Sequence, residues 1–122
     1  MRRAVIVSTA RTPIGKAYRG AFNDTSGPTL AAIALQHAAK RAKIEPGEIE
    51  DVVMGCAMQQ GTTGGNFARQ TVIRAGFPVT IGATTIDRQC GSGLQAIAVA
   101  ARSIMLDGVP IAAAVRRWLS RP

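Results

Sequence analysis

The sequence is poor in several residue types that particular kinds of site require. Its 122 residues include one histidine, His37, and two cysteines, Cys56 and Cys90, which lie far apart and form no C-x-x-C pair. These are too few ligands for a zinc site, and the pattern is not that of a secreted disulfide framework. Only 4% of the residues are aromatic, so alanine, valine and isoleucine must fill most of the core of one modest domain.

Long apolar runs are also missing. No segment approaches the roughly 20 apolar residues of a membrane-spanning helix. The apolar run that follows Arg2-Arg3 is interrupted at Arg11, well short of the apolar region of a signal peptide. We therefore expect a cytoplasmic protein without a membrane span.

Acidic residues are scarce, with 7 against 15 lysines and arginines, so the formal net charge is +8. Such a balance raises the possibility of nucleic-acid binding. The cations are scattered, however, and no aromatic residues alternate with them. The pattern predicts a solvated surface and no nucleic-acid partner, and an anionic small-molecule substrate is equally compatible with it.

Short β-branched runs alternate with helical stretches along the chain. The patterns predict strands over 4–9, 52–58 and 83–88. Helices are predicted from Ser26 to a stop at Glu45-Pro46-Gly47, over 67–75 and over 92–106. This βαβαβα order predicts an α/β fold with a mainly parallel sheet.

Helical periodicity predicts which faces of two helices are buried. In the first helix the expected apolar face consists of Leu30, Ile33, Ala34, His37, Ala38 and Arg41. We therefore expect His37 to have a structural role. The last helix has one stripe that consists of Leu94, Ile97, Ala98, Ala101, Ile104 and Met105. Because its other side is nearly as apolar, we expect this helix to be buried on most faces.

A glycine-rich segment, Gly61–Asn66 (GTTGGN), follows the second predicted strand. Loops of this kind can bind phosphate at the start of a helix. The spacing fits neither G-x-G-x-x-G nor a G-K-[ST] ending, so we interpret the segment as a connection.

Cys90 lies between the third predicted strand and the last helix, in the sequence DRQCGSGLQAI. At a helix start, the first-turn N–H groups and the helix dipole favour a thiolate. Gly91 and Gly93 are expected to leave space for a substrate. The residues alone leave two interpretations open: Cys90 is a nucleophile for acyl transfer, or it is a small buried residue. Cys56, within an apolar strand, is expected to be buried and inert.

Four segments in order resemble the N-terminal part of the thiolases, the acetyl-CoA acyltransferases. They are Ala10–Lys16 (ARTPIGK), Val52–Gly55 (VVMG), Asn66–Gln70 (NFARQ) and Cys90–Ala96 (CGSGLQA). The resemblance implies an incomplete, thiolase-like N-terminal half-domain over residues 1–111. Residues 112–122 read as a divergent, arginine-rich tail that is truncated or out of frame.

The resemblance also implies the chemistry. Cys90 would attack a 3-ketoacyl-CoA, release acetyl-CoA and hold the shortened acyl group as a thioester until a second CoA removes it. The reverse direction is a Claisen condensation. CoA thioesters would be substrates, with no bound cofactor and no metal, and full-length members of the family form homo-oligomers. Arg88-Gln89 and Gln95 look more like degradative than acetoacetyl-forming members.

The family's other catalytic segments do not occur in this sequence. Members use a histidine in a G-H-P segment, an asparagine-linked histidine and a second cysteine in a C-x-G-G-G segment, and none is present. We therefore expect the 122-residue chain alone to be inactive. The alternatives are an acetoacetyl-CoA-forming biosynthetic thiolase, a ketoacyl-synthase-type enzyme and a non-catalytic fragment that acts by association. In ketoacyl synthases the cysteine is usually followed by serines or alanines, unlike the sequence here.

Overall fold

A computed structural model of the chain describes residues 2–116. Three helices, α1 (Gly27–Ala42), α2 (Phe67–Arg74) and α3 (Ser92–Arg102), alternate with three strands, β1 (Asp51–Gly55), β2 (Gly82–Ile86) and β3 (Ala112–Arg116). The strands form a parallel sheet in the order β2-β1-β3. The predicted α/β class and the mainly parallel sheet are confirmed.

The central strand β1 is buried on both faces because helices cover the sheet from both sides. Val52 and Met54 pack into a core that includes residues of α1 and α2. Val53 points to the opposite face, where it packs with Ala96 and Ala100 of α3. Since successive side chains of a strand alternate between faces, β1 divides the domain into three layers. One helical layer contains α1 and α2, and the other contains α3.

The first predicted strand is wrong, because residues 4–9 lie outside the sheet among the described residues. Three of its apolar side chains are 72% to 74% exposed, namely Val5, Ile6 and Val7. The segment is attached through side chains, and the Ser8 hydroxyl donates to the Ala38 carbonyl at 2.8 Å. Both edges of β1 are paired, one with β2 and the other with β3. Residues 4–9 therefore cannot pair with β1, and in the described part of the chain they do not extend the sheet beside β2 or β3 either.

The predicted apolar face of α1 is also wrong. The buried stripe consists of Gly27, Pro28, Ala31, Ala32, Leu35 and Ala39. His37 is exposed, and Ile33 is 41% exposed. Small side chains let α1 approach its neighbours closely, so the packed face is the alanine face rather than the one with more large apolar residues.

The remaining predicted elements are found close to their expected positions. β1 and β2 each begin one residue before their predicted starts and end earlier than predicted. α2 ends at Arg74, and Gly76 follows with a φ of 71°. Residues 112–116, assigned by sequence to the divergent tail, form β3, whereas residues 117–122 lie outside the described part. The domain boundary at residue 111 stays a prediction.

α3 is less buried than its sequence predicts. Its buried residues are all small: Ser92, Gly93, Ala96 and Ala100. Leu94 is 74% exposed and Ile97 is 44% exposed, so the predicted burial of most faces is wrong. The helix continues as one π-helical turn over Ser103–Asp107 and ends at Gly108, which has a φ of 81°. The small face packs on the sheet, and the face with large apolar side chains points away from it.

A close backbone contact between α3 and the sheet is made by Gly55, the last residue of β1. A Cβ atom added to Gly55 would lie 2.6 Å from the Gly93 nitrogen, and closer still to the Ser92 carbonyl group. These are backbone atoms, which cannot rotate away. Only glycine therefore allows the start of α3 to rest directly on the end of β1.

We predict that Gly55→Ala displaces the start of α3 and destabilises the domain. Inserting a methyl group into a packed contact typically costs about 1–3 kcal/mol, and urea denaturation measures the loss. Gly47→Ala is the matched control, because its added Cβ would meet only Pro78 Cγ at 3.9 Å. Equal stabilities for the two variants would contradict the contact.

Candidate active site

Cys90 lies at the carboxyl edge of the sheet, four residues after the end of β2. The last residues of the strands, Gly55, Ile86 and Arg116, are in register, so all three strands end at this edge. The Cys90 side chain is a free thiol on an exposed residue, and α3 begins two residues later. Ligands of parallel α/β sheets generally bind at this edge.

The turn that presents Cys90 has an unusual backbone. Gln89, directly before Cys90, has a φ of 49°, which non-glycine residues rarely adopt. Its N–H donates to Asp87 Oδ1 at 2.8 Å. The Gly91 N–H donates to the Arg88 carbonyl at 3.0 Å, which closes the turn around Cys90. The side chain of Cys90 thus projects from a tight turn rather than from a flexible loop.

The Ser92 hydroxyl makes two further hydrogen bonds in this turn. It accepts from the Arg88 N–H at 2.8 Å and donates to the Gln89 carbonyl at 2.6 Å. Ser92 itself is 3% exposed. A buried hydroxyl therefore connects the first residue of α3 with both residues that precede Cys90.

The start of α3 offers hydrogen-bond donors next to the thiol. Gly91, the N-cap, has no side chain, so no side-chain cap covers this end of the helix. The first N–H groups of a helix have no acceptor within the helix, and together with the helix dipole they give this end partial positive charge. A carbonyl oxygen that becomes negative during attack by sulfur would be stabilised by such donors.

The space expected at the two glycines is not open at Gly93. A Cβ added there would lie 2.7 Å from Cγ and 2.8 Å from Cβ of Arg116, the last residue of β3. At Gly91 the nearest atom is the Arg88 carbonyl oxygen, at 3.3 Å. The Arg116 stem therefore packs against the start of α3 at Gly93.

The two other candidate residues do not join Cys90 in a catalytic group. Cys56 directly follows β1, is 2% exposed, and its thiol donates to the Met58 carbonyl at 3.3 Å. The predicted burial of Cys56 is thus confirmed. His37 lies on the exposed side of α1. In the described part of the chain, no three His, Cys, Asp or Glu residues are grouped so that they could hold a metal ion.

The segment Asn66–Gln70 fixes the strand that leads to Cys90. Asn66 caps α2, since its Oδ1 accepts from the Arg69 N–H at 3.1 Å and from the Thr85 hydroxyl at 2.9 Å. The Arg69 guanidinium donates to the carbonyls of Ile81 and Val79 at 2.8 and 2.9 Å. These bonds hold α2 against β2 and the residues before it. The sequence indicated this segment only through the resemblance, because its partners in and before β2 lie ten or more residues away.

No helix in the part of the chain from residue 2 to residue 116 is both long and apolar enough to cross a membrane.

The sequence and the structure were compared with those of known proteins. Residues 4–115 match the family model described as the thiolase N-terminal domain. A 3-ketoacyl-CoA thiolase of Bacillus subtilis (strain 168) is 45% identical over 114 residues, which cover 93% of this chain and 29% of the relative. A 3-ketoacyl-CoA thiolase of Vibrio vulnificus (strain YJ016) is 42% identical over 112 residues, 91% of this chain and 29% of the relative.

The fold of the chain also matches that of a solved structure. The crystal structure of the Bacillus anthracis acetyl-CoA acetyltransferase superposes with a TM-score of 0.85 at 39% identity. The match covers 94% of this chain and 29% of that one. The chain thus spans about three tenths of the length of the relatives that it matches. Together, the family match and these identities show that the chain belongs to the thiolase family.

Proposed function

We propose that this chain carries the nucleophile of a thiolase-type acyltransferase and that Cys90 is that nucleophile. The observation that supports this most directly is the position of Cys90, an exposed thiol at the start of α3 and at the carboxyl edge of the sheet. The chain spans 29% of the length of the relatives that it matches. An activity that needs the whole protein is therefore proposed here as well.

The proposed substrate is a 3-ketoacyl-CoA. The Cys90 thiolate attacks the 3-keto carbon and forms a carbon–sulfur bond. The bond between carbons 2 and 3 then breaks, and its electron pair stays on carbon 2, which takes up a proton and leaves as acetyl-CoA. In the second step the thiol of another CoA attacks the acyl-cysteine, forms the shortened acyl-CoA and returns the sulfur of Cys90.

Two features of the site support this chemistry. The N–H groups at the start of α3, where no side chain caps the helix, are donors of the kind that a developing oxyanion requires. The left-handed backbone at Gln89 and the bonds of the turn hold the thiol in one place, so little reorganisation is needed on attack. CoA thioesters are substrates in this proposal, and no bound cofactor is required.

The two directions of the reaction remain alternatives within the same proposal. The relatives are named 3-ketoacyl-CoA thiolase, whereas the solved structure is named acetyl-CoA acetyltransferase. The Arg88 guanidinium donates to Gln95 Oε1 across the turn, so the residues that favoured the degradative interpretation also have a structural role. We therefore propose degradative cleavage as the main direction and acetoacetyl-CoA formation as the alternative. A cytoplasmic location is proposed because both thiols, Cys56 and Cys90, are free.

Reactivity of the two thiols tests the assignment of Cys90. We predict that iodoacetamide at neutral pH alkylates Cys90 before Cys56, because Cys56 is 2% exposed and reacts only when the fold opens. Peptide mapping over time measures both sites, and Cys90→Ala and Cys56→Ala identify each product. Faster modification of Cys56 would contradict the assignment.

Turnover by the 122-residue chain is predicted to be undetectable. Acyl transfer also needs a general base that returns a proton to the leaving group, and loss of such a base typically costs about 10²- to 10⁴-fold in rate. Incomplete oxyanion stabilisation lowers the rate by roughly another 10²-fold. Thiolysis of acetoacetyl-CoA by the chain should therefore equal that of Cys90→Ala. A robust rate that depends on Cys90 would show that the base lies within these residues.

We also propose that the protein forms a homo-oligomer. Leu94 and Ile97 lie one helical turn apart on α3 and are both exposed, as an association surface would be. This surface also supports the second candidate function, a non-catalytic chain that acts by association.

Light scattering tests the association surface on α3. We predict that the chain self-associates and that Leu94→Gln combined with Ile97→Gln shifts it towards the monomer. Ile73→Gln is the matched control, since Ile73 is an apolar residue of α2 that is 57% exposed. A sharp monomer peak for the unaltered chain, or an equal shift with the control, would count against the proposal.

A further inference from the structure

We infer that Ser92 is a positioning residue that holds Cys90 in the geometry required for acyl transfer. The inference rests on the proposed function and concerns a residue that does not itself touch the substrate.

The Ser92 hydroxyl is the buried centre of the Cys90 turn. It accepts from the Arg88 N–H and donates to the Gln89 carbonyl, at 2.8 and 2.6 Å. In the described residues the Arg88 N–H has no other acceptor. Removing the hydroxyl would therefore leave a donor unpaired in the turn and free the Gln89 carbonyl from one of its two bonds.

The residue between these groups and Cys90 is held in an unfavourable conformation. Gln89 has a φ of 49°, and a residue with a side chain keeps such a backbone only where its surroundings impose it. Three hydrogen bonds impose it here: the Gln89 N–H donates to Asp87 Oδ1, and the Gln89 carbonyl accepts from the Ser92 N–H and from the Ser92 hydroxyl. Asp87 is exposed, so water competes for its bond, whereas Ser92 is 3% exposed. The two bonds from Ser92 are thus more persistent than the bond to Asp87.

The backbone of Ser92 is itself fixed to the sheet. Its carbonyl group lies against Gly55, where no side chain can be accommodated. A rigid connection therefore runs from the end of β1 through Ser92 to the two residues before Cys90. Through this connection the sheet sets the position of the sulfur relative to the first turn of α3 and its N–H groups.

Acylation and alkylation of Cys90 depend on this position to different degrees. Iodoacetamide needs only access to the sulfur, which is exposed. Acetyl-CoA must place its carbonyl carbon at the sulfur and its oxygen at the N–H donors, after which the carbon–sulfur bond to CoA breaks and the CoA thiolate takes up a proton. Misplacement by about 1 Å can reduce such an oriented reaction by 10²-fold. A positioning residue should thus affect acylation selectively.

The test compares the two reactions in the full 122-residue chain. Acetylation by acetyl-CoA and alkylation by iodoacetamide are followed at Cys90 by peptide mass spectrometry. We expect Ser92→Ala to lower the acetylation rate by roughly ten- to a hundredfold, with little change in alkylation and faster exchange of the Arg88 amide hydrogen. Ser92→Thr keeps a hydroxyl and should restore most of the acetylation rate.

Thr71→Val is the matched control, because the Thr71 hydroxyl is also fully buried and donates to a backbone carbonyl, that of Phe67, at 2.9 Å. This variant should lose stability without changing the ratio of the two rates. An unchanged ratio in Ser92→Ala, or the same change in Thr71→Val, would overturn the inference. Absence of acetylation at Cys90 in the unaltered chain would instead contradict the proposed function.

Discussion

The contact between Gly55 and the start of α3 is the constraint on which the site depends. A helix that follows a parallel strand must return across the sheet, and here its first residues lie directly on the last residue of the neighbouring strand. Because Gly55 has no side chain, the backbone of Ser92 and Gly93 can reach β1. The start of α3 is thereby placed at the carboxyl edge of the sheet, next to Cys90.

The other parts of the domain support this one contact from both sides. Asn66 and Arg69 attach α2 to β2 and to the residues before it, so the strand that leads to Cys90 cannot shift. On the opposite side, the stem of Arg116 packs against Gly93 and fills the space next to the helix. Cys90 is left as the exposed group between these fixed elements. The sulfur is therefore accessible, although its position is determined by buried contacts.

Local patterns in the sequence predicted much of this arrangement. The turn signals around α2 and the place of Cys90 directly before a helix follow from short segments, and four such segments identified the family, whereas the exposure of Cys90 was left open. The failures involve contacts between distant residues. Residues 4–9 have strong strand propensity but lie outside the sheet, whereas the alanine-rich segment Ala112–Arg116 pairs with β1. Nothing in either segment alone reveals which of the two pairs with β1. Likewise, the need for glycine at position 55 arises from residues 37 and 38 positions later.

The most direct test of this account is to find where an acyl group is carried. The chain is incubated with acetoacetyl-CoA, quenched in acid to preserve thioesters, digested and mapped by mass spectrometry. The account predicts one acetyl group on the peptide that contains Cys90, which hydroxylamine removes and which Cys90→Ala lacks. An acetyl group on Cys56 or on a lysine, with Cys90 unmodified, would contradict the claim that the turn before α3 is the acyl-accepting site.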